Sequence, residues 1–247
     1  MVARVDLTAD PVVQDLLLLA RRGTAFFARK LSQLSDNDLD APSLLSGWSR
    51  RHVVAHVGYN ARAIARLVEW AHTGVETPMY ESVQIRNDEI SMGATLSPIA
   101  LRNLYDHSAV HLSVEWRDLL DESWSYTVTT IQGRDIPVSE TVWTRTREVW
   151  IHAVDLDNGA SFRDIPSSIL VRLLRDITGA WKVRGSDTNL VLRVTDAPKL
   201  ESFGDVSAVA PIIITGSLAD VTQWAAGRGV TGVISTGETP QDPPAWI

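Results

Sequence analysis

The sequence predicts an α+β chain, an N-terminal four-helix bundle followed by a smaller C-terminal α/β domain. Three observations carry that expectation. Four segments in the first two thirds repeat apolar residues at helical spacing, with a longer excursion before the last. Start and stop residues fall where those helices need them. After Gly159 the pattern changes to one helix, then short apolar or alternating runs that read as strands around a second short helix. The expected domains are 1–160 and 161–247.

The first helix is "DPVVQDLLLLARRGTAFFARKLSQLS", with Pro11 near its start, where a missing N–H costs nothing. A loop, "DNDLDAPSLLSGW", leads to Ser49, which can cap "RRHVVAHVGYNARAIARLVEWAHTG" up to Gly74. An irregular stretch follows. Ser97 and Pro98 then open "SPIALRNLYDHSAVHLSVEWRDLLDE". "SYTVTT" alternates like a short strand, and "VSETVWTRTREVWIHAVDLDNG" is the fourth helix, stopped by Asn158-Gly159. In the second domain "IPSSILVRLLRDITGAWKVRG" and "SLADVTQWAAGRG" read as helices. "TNLVLRVT", "APIIITGS" and "TGVIST" read as strands, and "TGETPQDPPAWI" as an extended tail packed down by Trp246.

Composition narrows the function. A formal charge of −7 argues against nucleic acid or an anionic membrane as main partner, because both need a basic face. No apolar run approaches the ~20 residues that span a bilayer. The N-terminus lacks the apolar core of a signal peptide, so the expectation is a soluble, cytoplasmic protein. Nothing reads as a dimer seam, and a monomer is expected. With no cysteine, disulfides, a catalytic thiol and zinc–thiolate sites are excluded. Any metal is held by His, Asp or Glu, and any sulfur nucleophile arrives as a small molecule. Nine Trp residues suit core and pocket walls.

The chemistry concentrates in "TREVWIHAVDLD". Glu148 and His152 stand four apart, on one helical face among apolar residues. Such a pair is either a solvated helix contact or part of a metal site. The second helix offers His52 and His56, also four apart. Two ligands from the fourth helix and one from the second give the three protein ligands of a catalytic zinc site. Spacing does not choose between the two histidines. His52 lies in the first turn beside Arg50 and Arg51, whereas His56 lies deeper among small and apolar residues and is favoured. Tyr59 and Asn60, one turn below His56, are candidates to line the pocket or contact a ligand. Arg86, in the irregular stretch, is a weaker candidate for substrate or thiol contact. His72, His107 and His111 read as helix-face residues with no matched carboxylate helix.

"SGWSRRHVVAHVGYNARAIARL" resembles the helix-two signature of the DinB-like metal-binding four-helix bundles, and "TREVWIHAVDL" resembles their last-helix motif. Taken with "TGVETPMY", "RNDEI", "AAGRG" and "PPAWI", the chain is similar over its whole length to the mycothiol-dependent maleylpyruvate isomerases. The resemblance implies zinc held by His56, Glu148 and His152, with mycothiol as thiol cofactor. It also implies a catalytic role for Arg228 in the Gly-Arg-Gly turn. Without it, Arg228 reads as a surface residue after a helix end.

The activity implied is cis–trans isomerisation of maleylpyruvate, a small diacid, to fumarylpyruvate, as in gentisate-type aromatic degradation. Conjugate addition of a thiolate turns the double bond into a rotatable single bond, and elimination restores it. An arginine is the natural countercharge to a carboxylate and a developing enolate. A rival reading keeps the metal and makes the chain a mycothiol S-transferase acting on electrophiles, which needs an apolar pocket instead of cationic groups. A non-enzymatic small-molecule carrier and a metal-dependent hydrolase are further alternatives.

Overall fold

The computed structural model describes residues 5–186, 189–197, 202–236 and 240–246. The chain divides into two compact units, Met1–Ala160 and Ser161–Ile247. Thr188, residues 237–239 and residue 247, which belong to the expected strand and tail, lie outside the described residues.

The first unit is built on four long helices: α1 (Pro11–Ser32), α2 (Arg50–Thr73), α4 (Pro98–Asp118) and α5 (Ser139–Asp155). The caps explain their ends. Asp10 accepts from Val12 N at the start of α1, and Ser97 accepts from Ala100 N at the start of α4. Gly74 closes α2 in the left-handed conformation, φ 71°. The α5 helix stops at Asp155, three residues before the expected Asn158-Gly159 signal, and Asp157 takes the positive φ of 50°.

Apolar stripes join the four helices. Fourteen residues of α2 are buried, so this helix is the bundle's centre. The α1 and α5 helices approach closely at Gly23, where a Cβ would stand 2.6 Å from Val149 Cγ2 and from Trp150 Nε1. Phe26 stacks on Trp150 beside it, ring centroids 5.0 Å apart. Seven of the nine Trp residues are buried.

One expectation fails in the stretch between α2 and α4. It is not all irregular, because Val83–Gly93 forms a helix, α3, capped by the Ser82 side chain at Ile85 N. Only Ile90 and Gly93 of α3 are buried, so its sequence carries no apolar stripe to announce it. Gly93 is what lets it dock. A Cβ there would lie 2.7 Å from Tyr59 Cε2 and 2.8 Å from Ala55 Cβ, both on α2. The "SYTVTT" segment holds β1 (Thr127–Thr129), which pairs antiparallel with an unforeseen three-residue strand, β2 (Asp135–Pro137).

In the second unit, α6 (Ser167–Arg184) and α7 (Leu218–Ala225) accompany a four-stranded sheet. Its order is β4 (Phe203–Gly204), β3 (Leu190–Val194), β5 (Ile212–Gly216), β6 (Ile234–Ser235). The β3–β5 pair is parallel, with Leu192 opposite Ile214, and the other pairs are antiparallel. The two-residue β4 went unread because so short a strand has no visible alternation. Trp181 and Trp224 meet edge to face, and their indole N–H groups donate to the carbonyls of Pro244 and Gln241, each at 2.8 Å. Those bonds pin the extended tail, where Trp246 is buried.

Candidate metal centre

Helix α2 starts where α5 ends, and Arg50 ties the two together. Its Nε and Nη2 donate to the carbonyls of Leu156 and Asp157, both at 2.6 Å. A cation on these terminal carbonyls also suits the helix dipole. Leu44 N donates to Asp155 O nearby at 3.1 Å. With that end fixed, the second turn of α2 faces the last turns of α5.

There His56, Glu148 and His152 converge, one ligand atom from each lying within 4.8 Å of the others. Glu148 Oε2 is 2.8 Å from His56 Nε2 and 3.2 Å from His152 Nε2. The two imidazoles stand perpendicular, centroids 4.7 Å apart. Asp155, fully buried, holds His152 Nδ1 at 2.8 Å, so Nε2 is turned toward Glu148. Trp48 sits edge-on to His56 at 5.5 Å.

Electrostatics separates the two histidines. Burial pulls His56 down to about 4, outweighing the help of Glu148 and aided by the nearby His152 and Arg86 charges. Burial acts on His152 too, but hydrogen bonds to Asp155 and Glu148 overcome it and raise this imidazole above its usual value. Burial would also raise Glu148, yet hydrogen bonds and charges from both histidines hold it well below the usual carboxylate range. The set therefore offers a neutral imidazole, an anionic carboxylate and a second imidazole oriented by a buried acid.

This donor set fits a divalent ion. Two imidazoles and a carboxylate suit zinc and its neighbours, and the Asp155–His152 contact is the outer-shell partner such ligands use. The three groups already converge on one point, as a shared ion would require.

The other expected residues fall into distinct places. His52 is the third residue of α2, and its Nδ1 lies 2.8 Å from Ser49 Oγ and 3.3 Å from Ser49 N, completing a capping box. Arg86, in the first turns of α3, brings Nη2 to 3.4 Å from His56 Nδ1. The Tyr59 ring packs on Gly93 and under Arg62, whose Cζ is 5.6 Å from its centroid. Asn60 is buried, and its Oδ1 accepts from Arg145 Nη1 at 2.9 Å. In the second unit, Arg228 lies between Gly227 and Gly229, both at positive φ, and Nη1 donates to Ala226 O at 2.6 Å.

Sequence reasoning passed over Asp155, Arg147 and Arg145. Arg147 Nη2 stands 3.8 Å from Glu148 Oε1. Arg145 is buried one turn before Glu148. It also treated His111 as lacking a carboxylate partner, whereas Glu69 of α2 and Glu115 of α4 lie 3.4 and 3.3 Å from its Nε2. Those side chains are partly exposed and read as surface ion pairs.

Comparison with known proteins identifies the family. A family model described as the mycothiol maleylpyruvate isomerase N-terminal domain matches residues 20–157. No curated protein matches the sequence. Two solved structures do, the crystal structure of a mycothiol-dependent maleylpyruvate isomerase and that of a variant with one histidine replaced by alanine. Each is 47% identical to this chain at a TM-score of 0.90, covering 95% of this chain and 97% of its own. On the family match, the near-complete coverage and the bundle that carries the triad, the chain belongs to the mycothiol-dependent maleylpyruvate isomerase family.

Proposed function

We propose that this chain isomerises maleylpyruvate to fumarylpyruvate, using mycothiol as cofactor and zinc held by His56, Glu148 and His152. The observation that carries the reading is the buried triad, in a chain 47% identical to an isomerase of that name along nearly its whole length. A divalent ion in this site lowers the pKa of a coordinated thiol, so that a thiolate is available at neutral pH.

The chain's own residues set up the rest. His56 stays neutral through burial and Glu148 stays ionised, so neither must lose a proton to become a ligand. Asp155 fixes the ring of His152. The cationic groups near the triad support an anionic electrophile. Arg86 reaches the rim of the triad at His56, and Arg147 reaches it at Glu148. Guanidinium groups are suited to grip carboxylates and to stabilise an enolate that develops during conjugate addition. We assign Arg228 the role of catalytic arginine, Arg86 that of carboxylate or thiol contact, and Tyr59 and Asn60 the support of the pocket below His56.

The net chemistry is zero. Mycothiol, when bound, would supply a thiolate for reversible conjugate addition, which makes the alkene bond rotatable and returns the thiol unchanged on elimination. No redox partner is required. The enzyme is taken to work as a cytoplasmic monomer in gentisate-type aromatic degradation. The rival S-transferase reading is tested by offering maleylpyruvate and a neutral electrophile in parallel, each with mycothiol. Turnover of maleylpyruvate without consumption of thiol supports the isomerase. Stoichiometric thiol consumption with the neutral electrophile, and no isomerisation, supports the transferase.

A further inference from the structure

Two buried polar atoms near the triad have no role in the account above. Arg145 is 1% exposed. It lies three residues before Glu148 on α5, and Asn60 lies four after His56 on α2, so both pairs share helix faces. The result is two rungs between α2 and α5, His56–Glu148 and Asn60–Arg145. Arg145 Nη1 donates to Val57 O at 2.7 Å and to Asn60 Oδ1 at 2.9 Å, both neutral acceptors. Its Nη2 is buried with no hydrogen-bond partner among the described residues. The hydroxyl of Tyr80, in the segment leading to α3, is likewise buried without a partner among them.

We propose that Arg145 and Tyr80 form a buried carboxylate subsite beside the triad, which takes one carboxylate of the diacid substrate. The proposal rests on the isomerase reading. Charge is the main argument. A buried guanidinium costs several kcal/mol unless an anion accompanies it. Tyr80 packs in one buried cluster with Ala61 and Ile64 of α2 and Val142 of α5, which lie within a turn of Asn60 and of Arg145 and bring it to the Arg145 rung. Once Glu148 is committed to a divalent ion, Arg145 needs another anion.

A water molecule would satisfy the hydrogen bonds but not the charge. A carboxylate does both, because its two oxygens accept from Nη2 and from the Tyr80 hydroxyl together. Burial raises the Tyr80 hydroxyl above its usual range, so it remains a donor at any working pH. One helical turn, about 5.4 Å, separates the Arg145 rung from the Glu148 rung, a spacing that a short dicarboxylate bridges. The Asn60 amide then acts through Arg145, by holding Nη1 so that Nη2 is presented.

The test is steady-state isomerisation by zinc-loaded wild type, Arg145→Met, Arg145→Lys and Tyr80→Phe, with zinc content and inhibition by maleate measured on each. Loss of a charge-assisted bond predicts a KM for maleylpyruvate and a maleate inhibition constant raised roughly 10- to 100-fold in Arg145→Met. Tyr80→Phe should raise both roughly 3- to 10-fold. Zinc content stays at the wild-type level, and Arg145→Lys falls between the two. A merely structural role would lower zinc content or kcat and leave maleate inhibition unmoved, and that result overturns the proposal. Should Arg145→Met not fold, Tyr80→Phe decides: unchanged KM and maleate inhibition there also overturn it. If wild type does not isomerise maleylpyruvate at all, the isomerase reading fails. Calorimetric binding of maleate to the zinc-loaded protein then judges the subsite alone, supporting it if Tyr80→Phe weakens binding and overturning it if wild type binds none.

Discussion

Asp155→Asn isolates the contact that turns a pair of imidazoles into an ordered ligand set. Asp155 is fully buried, and its Oδ2 lies 2.8 Å from His152 Nδ1, fixing the tautomer that leaves Nε2 free. Loss of such an outer-shell partner typically costs 10- to 100-fold in metal affinity, or about 1.4–2.8 kcal/mol at 1.4 kcal/mol per decade. Asparagine can still accept from Nδ1–H through its carbonyl, so about 10-fold is expected. Asp155→Ala, which leaves the imidazole N–H unpaired in a buried site, should reach about 100-fold. Zinc affinity is read by competition with a chromogenic chelator, and thermal unfolding of the metal-free proteins shows that each variant folds. Zinc binding as tight as wild type in both folded variants would refute the claim that Asp155 orients a metal ligand.

The remaining predictions are simpler. His56→Ala should abolish stoichiometric zinc binding and turnover together, and elemental analysis showing full zinc with normal rates would remove His56 from the ligand set. Arg228→Ala should keep its zinc and slow turnover by roughly 100-fold or more, the scale of a lost charge-stabilising donor. Unchanged kcat and KM would end its catalytic assignment. Zinc affinity should also depend on pH through one histidine. The proton on His152 competes with the ion below a pKa raised above the ordinary 6.5, whereas His56 sits at about 4 and Glu148 is already ionised. Apparent Kd should therefore rise tenfold per unit as pH falls through that window, with proton release near one per ion. A flat profile down to pH 5, or a slope of two, would contradict the assignment.

The parts of this protein that announce themselves in the sequence have regular spacing. The four bundle helices carry long apolar stripes with capping residues at their ends, and the fold class and the shared face of Glu148 and His152 follow from that periodicity, whereas His56 is favoured over His52 by its small and apolar neighbours. The missed parts lack it. Helix α3 buries only two residues, so nothing distinguished it from loop, and the approach of Arg86 to His56 could not be seen without it. Arg145 and Arg147 stand two apart in one polar run, and only the folded helix shows Arg145 turned into the core while Arg147 stays partly exposed. Asp155 resembles any acid near a helix end until the backbone shows it beneath His152. His52 and His56 looked like alternatives, and local geometry separates them, because the third position of a helix is where a side chain reaches back to cap.

Isomerisation itself is the most direct test. Purified zinc-loaded protein is mixed with maleylpyruvate, and absorbance is followed with and without added mycothiol. The account predicts conversion to fumarylpyruvate only when mycothiol is present, with the thiol recovered unchanged. Conversion at the same rate without thiol, or no conversion in either sample, would contradict it.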